Sequence, residues 1–135
     1  MKAKDLMVGD YIRAKQGIAT VVSVWEKAIY APVGDNAIFA AVGDEVVELR
    51  EGEFKEIPLT PWILEKNGFN DDSKGVYGDD NSYFIPTYQS GFDTGTWETH
   101  IEPTEGIGDF SGKLRYVHQL QHALRLCGIE KEIEL

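Results

Sequence analysis

The chain of 135 residues has a single cysteine, Cys127. It therefore cannot form an internal disulfide, and small secreted domains more often carry an even set of cysteines. The N-terminus has Lys2 and Lys4 but no apolar segment behind them, so a secretory signal peptide is not expected. These absences predict a cytoplasmic protein.

Long apolar runs are also missing. The longest, Ala37–Val42, is far shorter than the roughly 20 residues that a membrane-spanning helix needs. We therefore expect no membrane association. The hydrophobic content of 42% and the charged content of 27% are typical of globular proteins. Because the length is also that of an ordinary domain, the sequence predicts a single domain over residues 1–135.

Basic residues are scarce, with 13 Lys and Arg against 23 Asp and Glu, and the net charge is -10. Such a charge repels phosphate backbones at long range, so duplex nucleic acid is not expected as a ligand. The acidity is uneven, however. Residues 112–128 contain Lys113, Arg115 and Arg125 and no acid.

The first part of the chain has the pattern of short strands separated by turns. Strands are predicted at residues 11–14, 18–25, 28–31, 37–42 and 45–50. The tripeptide Val-Gly-Asp occurs at 8–10, 33–35 and 42–44, and each copy is interpreted as a turn. Close strand spacing favours an SH3-like small β-barrel or a curled antiparallel sheet over residues 1–56.

The remaining residues, 57–135, are predicted to contain both helices and strands. Thr60 can cap a short helix, Pro61 suits its first position and Gly68 can end it, with Trp62, Ile63 or Leu64 as its core anchor. Further predicted elements are strands at 82–88 and 96–101, a main helix at 114–127 ended by Gly128, and an edge strand or frayed tail at 129–135. The fold class is therefore α+β, with the C-terminal helix packed on antiparallel strands.

Strand alternation places Glu98, His100 and Glu102 on one face and Trp97 and Thr99 on the other. Two carboxylates beside an imidazole could bind a metal ion or support acid-base chemistry, as in a hydrolase. A solvated sheet face opposite a packed one explains the same pattern, and it is the normal arrangement in antiparallel sheets. No third metal ligand is placed by the sequence.

His118 and His122 are four residues apart on the main helix, a spacing that can join two imidazoles at a metal. The helical wheel places Arg115 and Arg125 beside them, and their positive charge opposes cation binding. The four residues are either an ordinary polar helix face or a basic stripe that docks an acidic partner or an acidic part of the same protein. No cofactor, metal or catalytic residue is predicted here.

Two acidic clusters, at residues 70–72 and 79–81, resemble calcium loops only superficially, because Lys74 and Asn81 stand where carboxylates are needed. Solvated turns are the better interpretation. The aromatic residues in the middle of the chain are interpreted as core and sheet packing: Tyr77, Tyr83, Phe84, Tyr88, Phe92 and Trp97.

Two segments, IPLTPWILEKNGF at residues 57–69 and YVHQLQ at 116–121, carry a resemblance. Together with the opening around Lys4-Asp5-Leu6, they resemble a family of small uncharacterised proteins of Bacteroidetes and their phages or mobile elements. The family pattern continues with an aromatic-rich helix end, where this chain has residues 122–125, HALR. The resemblance implies a bacterial, intracellular accessory protein and carries no activity or site residue.

These observations favour a non-enzymatic accessory or protein-interaction module. Two alternatives stay open: a metal-binding protein or hydrolase built on Glu98, His100 and Glu102, and an acidic mimic of nucleic acid. The sequence leaves the partner and the oligomeric state undetermined.

Overall fold

The computed structural model describes residues 5–25, 37–103 and 108–135. The chain divides into two compact units, Met1–Ile57 and Pro58–Leu135. The fold class is α+β, as predicted. The predicted strand at 28–31 and the Val-Gly-Asp turn at 33–35 lie outside the described residues. The expectation of a single domain stays a prediction. Neither helix within the described ranges is long and apolar enough to cross a membrane.

The first unit is a curled antiparallel half-barrel, which confirms the prediction of a curled sheet. Its five strands lie in the order β4-β3-β2-β1-β5. The strand bounds are β1 Tyr11–Ala14, β2 Gly17–Trp25, β3 Ala37–Val42, β4 Glu45–Arg50 and β5 Phe54–Lys55. A register irregularity between Val21 and Ser23 interrupts the pairing of β2 with β3, and such bulges bend a strand.

Alternation along the strands gives the first unit its core. On β1, Ile12 and Ala14 are buried while Arg13 is exposed, and Ile12 lies opposite Ala19 on β2. Strand side chains point alternately to opposite faces, so one face of the curled sheet becomes continuously apolar. The buried cluster comprises Leu6, Ile12, Ala14, Ala19, Val21, Ile38, Ala40, Leu49 and Phe54.

The Val-Gly-Asp copies at 8–10 and 42–44 are turns, as predicted, but they differ in depth. Gly9 and Gly43 both have positive φ, at 92° and 61°. Asp10 is fully buried, and its carboxylate accepts the Met7 backbone N–H at 2.8 Å. Asp44 is exposed. The first copy therefore has a structural carboxylate that the second lacks.

The second unit is a five-stranded antiparallel sheet with two helices, in the strand order β10-β9-β8-β7-β6. The element bounds are α1 Pro61–Lys66, β6 Asn70–Asp71, β7 Tyr77–Gly78, β8 Ser82–Gln89, β9 Phe92–Ile101, β10 Phe110–Leu114 and α2 Val117–Leu126. Phe84 on β8 and Trp97 on β9 are buried on one face of this sheet. That face holds the core of the unit.

Helix α1 begins and ends as predicted. The Thr60 hydroxyl accepts the Ile63 N–H at 3.3 Å, and Gly68 takes a φ of 85° just after the helix. Ile63 and Leu64 are buried and anchor the helix. Trp62 is exposed, and the Lys66 ammonium lies 4.8 Å from its ring centroid. Of the three alternatives predicted for the anchor, the structure therefore selects Ile63 and Leu64.

Helix α2 starts at Val117, three residues later than predicted, because Leu114 is the last residue of β10. The Gln119 side-chain oxygen accepts the N–H groups of Arg115 and Tyr116, at 2.8 and 3.1 Å, and so satisfies the backbone donors at the helix start. The prediction that this helix packs on the sheet agrees with the burial of one apolar face, formed by Val117, Leu120, Ala123, Leu124 and Cys127.

Residues 129–135 form neither of the predicted structures, since they are an ordered coil. The Asn67 side chain donates to the Glu134 carbonyl at 2.8 Å and accepts the Glu134 N–H at 2.7 Å. Ile133, the residue before Glu134, is buried. A side-chain amide thus takes the place of a neighbouring strand.

We expect Asp10→Ala to lower the free energy of unfolding by about 2 kcal/mol, because it removes a charged acceptor from a buried N–H. The matched control is Asp44→Ala in the exposed copy of the tripeptide, expected to change stability by less than about 0.5 kcal/mol. Chemical denaturation measures both. Equal effects would contradict the structural role of Asp10.

We expect Asn67→Ala to lower the free energy of unfolding by about 2 kcal/mol and to release the C-terminal coil, because two hydrogen bonds to Glu134 are lost. Hydrogen exchange should show the Glu134 amide losing protection. Asn70→Ala, at an exposed asparagine, serves as the control. A protected Glu134 amide in Asn67→Ala would refute the clamp.

Candidate functional surfaces

The β9 alternation predicted from sequence is confirmed. Trp97, Thr99 and Ile101 are buried, while Glu98 and Glu102 are exposed. His100 is half-buried on the outer face. Its ring stacks on Tyr83 of β8, with 5.2 Å between the ring centroids, and its Nε2 lies 3.4 Å from the Glu102 carboxylate. The outer face therefore holds one aromatic stack and one ion pair that depends on histidine protonation.

This face does not provide a metal site in the described part of the chain. No three His, Cys, Asp or Glu side chains within residues 5–25, 37–103 and 108–135 come close enough to hold a metal ion. His100 and Glu102 form a pair without a third ligand. His100, His118 and His122 are all within these ranges, so the three histidines do not form a metal centre.

The predicted basic stripe divides into two environments. Arg115 and Arg125 are exposed, and the Arg115 guanidinium donates to the Thr94 carbonyl at 3.0 Å. His118, in contrast, exposes only 6% of its surface. It stacks against Tyr116 at 5.9 Å and meets the half-buried His122 edge-on at 5.7 Å. The expectation of an exposed four-residue stripe was therefore wrong for His118, while docking through the arginines stays a prediction.

His118 is buried in the first turn of α2, where its ring contacts those of Tyr116 and His122. Gln121 is also buried, and it lies next to Val117 on the helical wheel. The sequence prediction treated His118 as part of a polar helix face or a basic stripe. An imidazole can pack as a flat, mostly apolar ring, so residue polarity gave no signal of this arrangement.

Cys127 is buried just after the last residue of α2. Burial, and to a lesser degree the negative charge of Asp109, raises the pKa of its thiol. A protonated, buried thiol is a poor nucleophile. Cys127 therefore belongs to the core.

The acidic cluster at residues 79–81 lies in a bend, as predicted, whereas Asn70 and Asp71 of the other cluster form β6 and the turn follows them. The Asp71 carboxylate accepts the N–H groups of Ser73 and Gly75, at 3.0 and 3.2 Å. Asp72 likewise accepts Lys74 and Val76, at 2.8 and 3.2 Å. Asp79 accepts the Ser82 hydroxyl at 2.7 Å. These carboxylates stabilise local backbone. The nucleic-acid-mimic alternative, which needs a contiguous stripe of carboxylates, stays untested.

The packing predicted for the aromatic residues is confirmed for Phe84 and Trp97, which are buried. It is wrong for most of the aromatic residues on the hairpin formed by β8 and β9, because their side chains are exposed. The exposed fractions are 44% for Tyr83, 39% for Ile85, 64% for Tyr88 and 76% for Phe92. Sequence alternation contained part of this signal, because Tyr83 and Ile85 flank the buried Phe84. We call these four side chains the hairpin patch.

Two hydroxyl groups hold the hairpin near its tip. The Thr87 and Thr94 hydroxyl oxygens lie 2.6 Å apart, and each also lies within hydrogen-bond distance of a carbonyl, Thr87 at 2.9 Å from that of Thr96 and Thr94 at 3.0 Å from that of Thr87. Because each hydroxyl has one proton, two of these three contacts are hydrogen bonds at any one time. At the tip, Ser90 and Gly91 both have positive φ, 52° and 81°, as a tight two-residue hairpin turn requires. The hairpin patch is thus presented on a well-defined backbone.

Negative charge lies beside this hairpin. Desolvation, followed by the nearby carboxylates of Asp71 and Glu65 and the Tyr88 phenol, raises the pKa of Tyr77. On the outer face, Glu98 and Glu102 are exposed close to Tyr83 and Ile85, since Glu98 lies directly opposite Ile85 in the strand register. Cations lie nearby as well, since Lys113 of β10 is opposite Glu98 on its other side and the Arg115 guanidinium contacts the hairpin at Thr94. The carboxylates are therefore concentrated beside Tyr83 and Ile85.

Comparisons of the chain with protein-family models, curated proteins and solved structures gave no match. The resemblance carried by residues 57–69 and 116–121 stays a prediction.

We expect His118→Ala to lower the free energy of unfolding by about 2 kcal/mol, because it empties a packed site. His122→Ala, at the half-buried neighbour, should lower it by less than about 1 kcal/mol. Thermal or chemical denaturation compares the two. If His118→Ala is as stable as the wild type, the histidine is not a packing residue.

Proposed function

We propose that this protein is a non-enzymatic interaction module, an accessory factor in a bacterial or mobile-element system, and that the hairpin patch docks a basic segment of a partner protein. The observation that carries the proposal is the exposure of Tyr83, Ile85, Tyr88 and Phe92 on one hairpin. The proposal keeps the predicted function but moves the docking surface from α2, where His118 is buried, to the hairpin.

Clustering distinguishes this patch from ordinary surface residues. Single exposed apolar side chains are common on soluble proteins, but contiguous groups mark interaction sites more often. Ile85 and Tyr83 lie two residues apart on one face of β8, and Phe92, which pairs with Gln89, lies on the same face near the tip. Tyr88, which pairs with Asp93, points to the other face, so the patch extends around the hairpin. Tyrosine and phenylalanine bury much area with little loss of side-chain entropy, which suits them to docking.

Charge selects the class of partner. Residues 69–112 contain nine acids and one base, Lys74. Glu98 and Glu102 are exposed on the face that carries Tyr83 and Ile85. Carboxylates beside apolar side chains attract a basic segment and repel an acidic one at this end of the patch, while Lys113 lies on the far side of Glu98 and Arg115 near the tip. We therefore assign a segment with apolar anchors flanked by Lys or Arg.

Rigidity strengthens the assignment. The threonine network and the tight turn fix the hairpin before a partner arrives, so little conformational entropy is lost on binding. A mobile loop with the same side chains would bind less tightly for the same contact area.

The test measures binding of purified protein to peptides that share apolar anchors and differ in net charge. We expect basic peptides to bind and acidic ones not to bind. The double variant Ile85→Ser/Phe92→Ser should weaken binding by about tenfold or more, because central apolar anchors dominate interface energies.

The matched control is Val46→Ser on β4, which removes an exposed apolar side chain away from the hairpin. This variant should bind like the wild type. Equal loss in both variants, or peptide binding that does not depend on charge, would contradict docking at the hairpin patch.

A further inference from the structure

The first unit contains a cavity of about 450 Å³. It is lined by the end of β1 and the turn that follows it, by Leu49 of β4, and by Lys55 of β5 together with the turn between β4 and β5. Ala14 and Leu49, both buried, form apolar parts of its wall. The polar part of the lining includes three cations, Arg13, Lys15 and Lys55, and one acid, Glu53. The volume falls within the range of small-molecule pockets.

Strand register brings two of the three cations together, since Arg13 on β1 lies directly opposite Lys55 on β5. Lys15 lies in the turn that follows β1 and also lines the cavity. Like charges directly opposite each other destabilise an antiparallel pair. In a chain with 23 acids and only 13 bases, this placement is unexpected without a compensating anion.

Protein carboxylates do not supply that compensation among the described residues. No ion pair there involves Arg13, Lys15 or Lys55. Glu53, the one acid in the lining, has its carboxylate engaged as acceptor of the Arg50 backbone N–H at 3.0 Å. The cavity therefore has a net positive lining in a strongly acidic protein.

We propose that this cavity is a binding site for a small ligand that carries a phosphate monoester. The Arg13 guanidinium can donate two parallel hydrogen bonds to phosphate oxygens, and Lys15 and Lys55 add charge from either side. The net charge of -10 disfavours long polyanions, since it repels the parts that extend beyond the cavity. A compact ligand interacts only with the positively charged lining of the cavity.

The experiment titrates inorganic phosphate and a nucleoside monophosphate into the protein at constant ionic strength, with chloride as the reference anion, and follows amide chemical shifts of residues 13–16 and 52–55. We expect saturable shifts with both phosphates. Arg13→Gln and Lys55→Gln should each weaken binding by about tenfold, since each removes a charge-assisted contact. Lys74→Gln and Lys113→Gln, at exposed lysines outside the cavity, should bind like the wild type.

Thermal unfolding gives a second readout. Without phosphate, Arg13→Gln should melt no lower than the wild type, because it relieves the repulsion from Lys55. Phosphate should raise the melting temperature of the wild type and leave that of Arg13→Gln nearly unchanged.

Four outcomes would overturn the proposal: shifts equal to those with chloride, an unaltered affinity in Arg13→Gln, a lower melting temperature of that variant without phosphate, or tighter binding of a single-stranded oligonucleotide than of the monophosphate. The Ile85→Ser/Phe92→Ser variant should bind phosphate normally. Failure of this site therefore leaves the hairpin proposal unaffected.

Discussion

The backbone of Leu59 joins the sheet and both helical segments of the second unit. Its carbonyl accepts the buried indole N–H of Trp97 at 2.7 Å, and its N–H donates to the Arg115 carbonyl at 2.9 Å. A buried indole N–H without an acceptor would destabilise the fold by a few kcal/mol, on the order of 1–3. The requirement to satisfy it fixes the segment before α1 against β9, and the second bond fixes the segment before α2.

This constraint also decides which face of the sheet stays outside. With Trp97 directed toward Leu59, its β9 neighbours Glu98 and His100 must point the other way, because strand residues alternate. The register then sets Ile85 opposite Glu98 and Tyr83 opposite His100. The outer face of the hairpin, with its apolar and acidic residues side by side, is thus a consequence of burying one tryptophan.

Local signals in the sequence were enough to predict structure where nearby residues satisfy the hydrogen-bonding groups of the backbone. The Thr60 cap, the Gly68 stop and the carboxylates of Asp71 and Asp72 act within a few residues, and all were predicted. Elements that depend on partners distant in the sequence were not predicted. Strand β10 contains Gly112, a poor strand former, and exists because β9 pairs with it along its whole length. The start of α2 depends on Gln119 reaching back, and the C-terminal coil depends on Asn67, 67 residues away from Glu134.

The candidate surfaces were not predicted for a related reason: composition averages over sites that differ in burial and in the sign of their local charge. Aromatic residues in the middle of the chain indicated packing, which holds for Phe84 and Trp97 but not for Phe92, and only strand pairing separates these cases. Likewise, a net charge of -10 hides the opposition of Arg13 and Lys55, which are 42 positions apart in the printed sequence. Many of the acids in the second unit stabilise turns, whereas the cations of the first unit meet across strands. Local charge, set by register, therefore governs what each unit can bind more directly than the overall charge does.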